Sequence, residues 1–471
     1  LVAGQALQGM EAEMSQQSRR AFLKSVGLGA AGVALGVTAA PRARRAAAEP
    51  IHEAGKVIQA GPVPRGGPAR LAGGKVIQPQ REVPVMRRTD VLVVGGGPAG
   101  VVAALAAKRA GAEVTLMERY GHFGGLWTGG LVLIVLATHA RDGGGLTKCV
   151  RGIGDEICQR LLKVHHGIIN QAPGKREPTS DPEATKFILD EMLREAGVSI
   201  LLHSWATNAI LDGSAVRGVL FESKSGCQAV RAKVVIDATG DGDVFGAAGA
   251  EHTRHLHRIG LVHRLGNVDR VDRAKVEAAG RRMPSLGSAT PIPSVRWVNM
   301  QGPTADCLDV EALSRCEMDA RRAIWKRVEA IRATPGCEEV FLLETAAQLG
   351  VRVSRTLKGL REMTLADAAA GRTYPDVVGI GGGYALTRDK ACQVPYGALV
   401  PLRVDNLLAA GRCVAADNRM MNYTRLIAPC FLLGHAAGAA AALCVQDNCR
   451  PRDVEVPKLQ ALLRKQGAFL G

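Results

Sequence analysis

Between Thr89 and Arg119 the chain changes its hydrophobic period three times. Val91–Val94 is an unbroken apolar run of strand length, and Gly95-Gly96-Gly97-Pro98-Ala99-Gly100 follows it directly. An alanine-rich stretch of helical character comes next, then a second apolar run, Val114–Met117, ending on Glu118 and Arg119. Strand, glycine turn, helix and strand in that order seat a dinucleotide. Gly95 permits the tight turn, Gly97 lets backbone approach a pyrophosphate, and Gly100 lets the helix pack on the strand. The helix opening at Pro98 and Ala99 presents free N–H groups and a positive dipole end to phosphates. Glu118 stands where a carboxylate accepts hydrogen bonds from a ribose diol.

The same reading continues downstream. Asp181-Pro182-Glu183 opens a helix whose apolar face carries Phe187, Ile188, Met192 and Leu193. Val198–Leu202 and the alternating Ala215–Glu222 read as strands, and Lys233–Asp237 as a buried strand running into a second glycine turn, Gly240-Asp241-Gly242-Asp243. Asn406–Ala410 is an apolar strand ending at Gly411, and 430–445 an Ala/Gly-rich helix able to pack closely. The glycine-dense loop Gly121–Gly130 implies backbone held against a ligand, with His122 an exposed loop histidine. Gly379–Gly383 looks like another dinucleotide turn, but no helical pattern follows, which excludes a second nucleotide domain. Residues 49–87 form a Pro/Gly-rich linker holding two copies of Gly-Lys-Val-Ile-Gln, too few for a repeat fold.

Composition adjusts this picture in three ways. With 471 residues, 47% hydrophobic and 22% charged, the chain has material for a substantial core and two or three domains. Its formal charge of +16 comes without basic runs interleaved with stacking aromatics, so the expected reading is a basic surface or an anionic small substrate, and not nucleic acid. Ser18-Arg19-Arg20-Ala21-Phe22-Leu23-Lys24, the apolar Val26–Ala40 and Ala46-Ala47-Ala48 together read as a twin-arginine signal peptide over 1–48. Residues ahead of Met10 or Met14 read as upstream of the natural start. The expectation is export of a folded, cofactor-loaded protein to the periplasm or another extracytoplasmic space, with no stable membrane span after processing. The 11 cysteines are odd in number and contain no CxxC, which argues against thiol–disulfide chemistry.

Four blocks carry a family resemblance: GGGPAG with Glu118-Arg119, Gly124-Gly-Leu-Trp-Thr-Gly-Gly130, Ile236-Asp-Ala-Thr-Gly-Asp-Gly-Asp243, and a C-terminal block from Val394 through Gly411-Arg412 to His435 and Gly438. Together they resemble the FAD-dependent oxidoreductases related to fumarate-reductase and glutathione-reductase type flavoproteins, over about residues 88 to 446. The resemblance implies an α/β protein with a Rossmann-like FAD-binding domain, three-layered, and an inserted α+β substrate domain. The FAD domain would comprise 88–250 and 394–446, the insertion 251–393, and a helical tail 447–471. Non-covalent FAD would be held by Gly95, Gly97, Pro98, Ala99, Gly100, Glu118, Arg119, Gly125, Leu126, Thr128, Ala206, Ala238, Thr239, Gly240, Asp243, Gly411, Arg412, Ala428 and His435. Two positions depart from the family: His435 stands where Gln is frequent, and Arg412 where many relatives carry Asp.

Candidate chemistry concentrates on arginines. Arg352 and Arg355 match a family motif and suit a carboxylate. Tyr423 and Arg425 precede the Ala/Gly-rich helix and are placed for proton or charge handling. Arg254, Arg258 and Arg264, in a His/Arg-rich segment, are further anion-binding candidates. Asp241 and Asp243 read as turn braces and no metal is expected. Three function classes fit: a dehydrogenase or reductase exchanging a hydride between FAD and a carbon centre of a small organic substrate, with a steroid, sugar, organic acid or alkene all compatible; an oxidase passing electrons to oxygen; and a non-redox flavin-binding accessory protein. The electron acceptor and the oligomeric state are not encoded in these motifs.

Overall fold

The computed structural model describes residues 69–78, 80–142, 145–170, 177–299, 302–387 and 389–471. The twin-arginine signature, the proposed cleavage site and the first Gly-Lys-Val-Ile-Gln copy lie outside these residues. The second copy falls in a small exposed hairpin, Arg70–Ala72 with Lys75–Ile77, turned by Gly73 and Gly74 at positive φ.

The principal sheet is built from β1 (Val85–Val94), β2 (Val114–Met117), β3 (Ser199–Leu201), β4 (Trp205–Asp212), β5 (Ala215–Ser223), β6 (Gly226–Asp237) and β7 (Leu407–Ala409). Five of them run parallel in the order β7-β6-β1-β2-β3, and β5 and β4 extend the first half of β6 as an antiparallel meander. Val91–Val94 is flanked by Val114–Met117 on one side and Val234–Asp237 on the other. All four of its residues are buried, as an apolar run enclosed on both faces requires.

Two helices close one face. Helix α1 (Pro98–Arg109) follows the glycine turn at once, and α4 (Ile427–Asp447) crosses it. The crossing is tight because Gly434 and Gly438 have no side chains: a Cβ there would lie 2.1 Å from Ala99 O and 2.2 Å from Ala103 O. α4 is long and apolar enough to span a bilayer, yet its apolar window is wholly buried within the fold. Helix α2 (Pro182–Glu195) starts where the sequence indicates, with Asp181 Oδ1 accepting from the N–H of Glu183 and Ala184. Its face is rotated slightly from the expected one: Ile188, Met192 and Leu193 are buried, whereas Phe187 is 55% exposed.

A second hydrophobic core gathers Leu131 and Leu133 with residues between Ile259 and Leu349. It contains a four-stranded antiparallel sheet, in which His263–Gly266 is central, and one side of helix α3 (Val310–Arg332), through Ile324, Val328 and Ile331. Val353, Leu357, Met363, Val378 and Cys392, assigned by sequence to the same insertion, pack instead in the principal core. The tail carries a final helix, α5 (Val456–Lys465). Gly379–Gly383 runs along and beyond a strand paired with Cys392–Pro395, its glycines admitting Leu432, Tyr423 and the backbone of Ala137.

Candidate functional site

The parallel strands β1, β2, β6 and β7 end together, and the turns that follow them open on one cavity of about 320 Å³. Gly95, Gly97, Pro98 and Ala99 follow β1, Glu118 and Arg119 follow β2, Ala238-Thr239-Gly240 follow β6, and Ala410-Gly411-Arg412 follow β7. This is the crevice outside the carboxyl ends of the strands, where ligands bind in open α/β sheets.

The glycines divide by role. Gly95 sits at φ 103°, and a Cβ there would meet Ala238 O at 2.4 Å; at Gly100 it would meet Gly95 O at 1.7 Å. Both are demanded by the protein's own backbone. Around Gly97, in contrast, a Cβ would meet nothing within 4 Å. That residue lines the cavity at the start of α1, which has Pro98 in its first turn and no acidic side chain there. The bare backbone therefore faces space that the protein leaves free for a group seeking N–H donors. Glu118 holds the turn from below, its Oε2 accepting from Gly96 N at 2.6 Å and its Oε1 from Tyr120 N at 2.9 Å.

The second glycine turn is braced by a buried polar network. Asp237, fully buried, accepts from Thr239 Oγ1 and from the backbone N–H of Thr239, Val244 and Phe245. Asp241 Oδ1 accepts from Ser354 Oγ at 2.6 Å and from Arg412 Nη2 at 2.8 Å. Burial alone would raise the Asp241 carboxyl, but the Arg412 guanidinium and the Ser354 hydroxyl hold it below its ordinary range. Arg412, the departure from the family pattern, thus has a local reason: it neutralises Asp241 while lining the cavity.

Thirteen of the expected cofactor residues line the cavity: Gly95, Gly97, Pro98, Ala99, Glu118, Arg119, Gly125, Leu126, Ala238, Thr239, Gly240, Gly411 and Arg412. Ala206 and Asp243 instead line a small neighbouring cavity with Glu118, Arg119, Trp205 and Thr239. Thr128 turns its hydroxyl back to Phe123 O at 2.6 Å. Ala428 is buried beside the cavity without lining it, and His435 lies two turns further along α4, its Nε2 paired with Gln466 Oε1 at 2.8 Å. At the start of α4 the lining residues are Ile427 and Cys430.

The four catalytic candidates also separate. Arg352 and Arg425 line the cavity. Arg355 does not: its Nη1 donates to Asp241 O at 2.9 Å and to Asp243 Oδ1 at 3.2 Å, so it ties the segment after Arg352 to the second glycine turn. Tyr423 is fully buried and donates its hydroxyl to Gly382 O at 2.8 Å; burial raises its pKa well above the ordinary phenol value. Arg254 and Arg264 are engaged as well, the first with Asp306 and the second with Asp181 and Glu344. Among the described residues no cluster of three or more His, Cys, Asp or Glu is arranged to hold a metal, and all eleven cysteines are free.

Several lining residues were not singled out by the sequence. Tyr120 and Trp205 flank the Arg119 guanidinium at 4.9 and 5.2 Å, making a stacked group at one side of the cavity. Val262, Asn299, Glu317 and Gln348 reach it from the inserted segments around the second core, and Leu349 reaches it from the motif that also carries Arg352. His122 is absent from the lining and stacks on Tyr120.

A family model described as FAD dependent oxidoreductase matches residues 90–463. Digeranylgeranylglycerophospholipid reductase 2 of Methanopyrus kandleri is 33% identical over 151 residues, which are 32% of this chain and 37% of the reductase. The chain therefore spans little more than a third of that relative's length. Thiamine thiazole synthase of Aeropyrum pernix is 30% identical over 234 residues, 46% of this chain and 78% of the synthase. A geranylgeranyl bacteriochlorophyll reductase-like structure from Thermoplasma acidophilum superposes with a TM-score of 0.44 at 16% identity, covering 81% of this chain and 84% of that one.

Proposed function

From the membership of this chain in the FAD dependent oxidoreductase family, we propose that it is an exported dehydrogenase or reductase exchanging a hydride between flavin N5 and a carbon centre of a small, anionic organic substrate. The observation that carries this reading is the composition of the cavity. One wall is the glycine turn with its free backbone; the second core faces it, with Arg352 beside that core and Arg425 just before the start of α4.

The residues fit the cofactor where the fit can be tested, at Gly97, whose missing Cβ leaves the start of α1 open. Bound FAD supplies the two-electron redox chemistry. The Gly95–Pro98 turn and the α1 N-terminus would hold the pyrophosphate, with Glu118 at the ribose and the Arg119–Trp205 pair at the adenine. The N-terminus of α4, which has no side-chain cap, offers N–H groups and a positive dipole end to negative charge in the cavity. Val262, Gln348 and Leu349 would shield the reacting face from water. His122 lies off the cavity lining, which supports non-covalent retention. Export rests on the Arg19-Arg20 signature.

The test is the visible absorption spectrum of the purified protein, repeated after acid precipitation. An oxidised-flavin spectrum that leaves with the supernatant is expected, followed by anaerobic bleaching with a substrate. Peroxide formed in air would move the reading to an oxidase. A colourless protein that does not reconstitute with FAD would overturn it in favour of an accessory role. For export, replacing Arg19 and Arg20 with Lys should retain the protein in the cytoplasm; unchanged secretion would refute the twin-arginine route.

A further inference from the structure

The arginines around the cavity fall into two electrostatic classes. Arg412, Arg355, Arg264 and Arg254 each have a carboxylate partner. Arg352, Arg425 and Arg119 line the cavity, and among the described residues none of their side chains makes an ion pair or a hydrogen bond, but Arg119 is stacked on Tyr120 and Trp205 whereas Arg352 and Arg425 have no such contact. Arg425 is largely buried, and its Nε finds no acceptor. Burial first, then the nearby charge of Arg352, pull its pKa down to about 10. Arg352 is lowered by burial too, and Arg258, exposed on the neighbouring strand, adds to the repulsion. Two guanidinium groups within electrostatic range of one another, partly withdrawn from water and without a counter-ion, are a costly arrangement. An anion in the cavity is what would offset it.

A third donor supports the same conclusion. Gln348 is only 6% exposed, lines the cavity, and leaves its side-chain Nε2 without an acceptor. Buried amide N–H groups are seldom left unpaired. The same cavity is also lined by Leu126, Trp127, Val132, Val262, Leu349 and Ile427, so an anion with an organic body suits it. Planar guanidinium forks match the planar oxygen pair of a carboxylate.

We propose that Arg352, Arg425 and Gln348 form a carboxylate-binding subsite, and that the substrate is an organic acid held by its carboxylate beside the apolar wall. This deepens the functional reading above and rests on it only for the cavity being the reaction site.

The test uses the FAD-loaded protein with benzoate and butyrate as probes and benzamide and butyramide as their uncharged counterparts. Titration is followed by the flavin difference spectrum. The acids should give a saturable change and the amides none. Arg352→Gln and Arg425→Gln should each weaken acid binding about tenfold or more, whereas Arg254→Gln, outside the cavity, should leave it unchanged. Arg352→Lys and Arg425→Lys, which keep the charge and lose the fork, should fall between; they also serve where a Gln variant does not fold. Amides binding as well as acids, wild-type affinity in both Gln variants, or inorganic phosphate displacing benzoate at equal concentration would each overturn the proposal. Calorimetric titration of benzoate into flavin-free protein reads the subsite separately. A colourless protein that binds benzoate through Arg352 and Arg425 removes the flavin reading and keeps the subsite, while a yellow protein blind to the acids does the reverse.

Discussion

At the residue scale, the first glycine turn offers a controlled contrast. Gly95→Ala places a methyl group against Ala238 O in a backbone region that favours glycine, so the folded protein itself should be destabilised. Gly97→Ala meets no protein atom. Its effect should fall on the ligand, with apoprotein melting unchanged and FAD affinity reduced about tenfold, the loss that 1.4 kcal/mol represents. Thermal melting and FAD titration of the two variants separate a turn shaped for itself from one shaped for a cofactor; equal FAD affinity in Gly97→Ala and wild type would contradict the latter. A second prediction concerns Asp243. Burial, then the carboxylates of Asp241 and Asp237, push it up to about 6 despite Arg355. The folded state therefore holds this proton more tightly than the unfolded chain. Its contribution to stability is full below the ordinary carboxylate value and is lost as pH rises toward 6. Asp243→Asn should flatten that part of the melting temperature against pH, and an unaltered slope would place the titration elsewhere.

At the scale of elements, α1 and α4 meet through glycine, and the two contact points lie at different distances from the cavity. Gly434→Ala would push against Ala99, which lines it, and Gly438→Ala against Ala103, one turn deeper in the pair. Both should cost about 1–3 kcal/mol, as overpacking does. Only Gly434→Ala should also weaken FAD binding, and equal loss in both would mean that the crossing acts as a rigid whole. What the sequence could reveal follows from the same geometry. β1, α1 and β2 are legible because local period, glycine and the terminal acid are all set within 31 residues, from Thr89 to Arg119. Phe187 was not legible as exposed, because a helical period fixes a stripe but not which edge of it is buried. Arg352 and Arg355 share one motif, yet the chain bends at Ser354 between them, and one reaches the cavity and the other Asp243. Thr128 and His435 have the right neighbours in sequence, but their direction is decided by Phe123 and Gln466. Gln348 and Val262 carry no local signature, since only the folding of the second core brings them to the cavity.

At the scale of the whole molecule, two hydrophobic cores share few covalent links and are joined by particular contacts. Leu131 and Leu133 cross from the first glycine-rich segment into the second core. Arg264, itself in the central strand of the second core's four-stranded sheet, reaches Asp181, the cap of α2 in the principal core, and also Glu344. The cavity is lined from both sides, so a ligand filling it binds a pair of cores held in register and stabilises that state by mass action, about 2.7 kcal/mol at a hundredfold excess over Kd. Removing FAD should therefore lower the melting temperature and separate the unfolding of the two cores, which the loaded protein should undergo together. Replacing Arg264 by Leu should exaggerate this. It leaves the buried Asp181 without its cation, a change of about 3–5 kcal/mol for a buried pair, releases the more exposed Glu344, and weakens the junction directly. Calorimetry of the four states, wild type and Arg264→Leu with and without FAD, tests the argument. If the apoprotein of the variant melts in two steps and FAD restores one, the cofactor and Arg264 work on the same junction. If all four melt in a single step with additive shifts, the cores are one cooperative unit and the cavity lies within it, not at a seam.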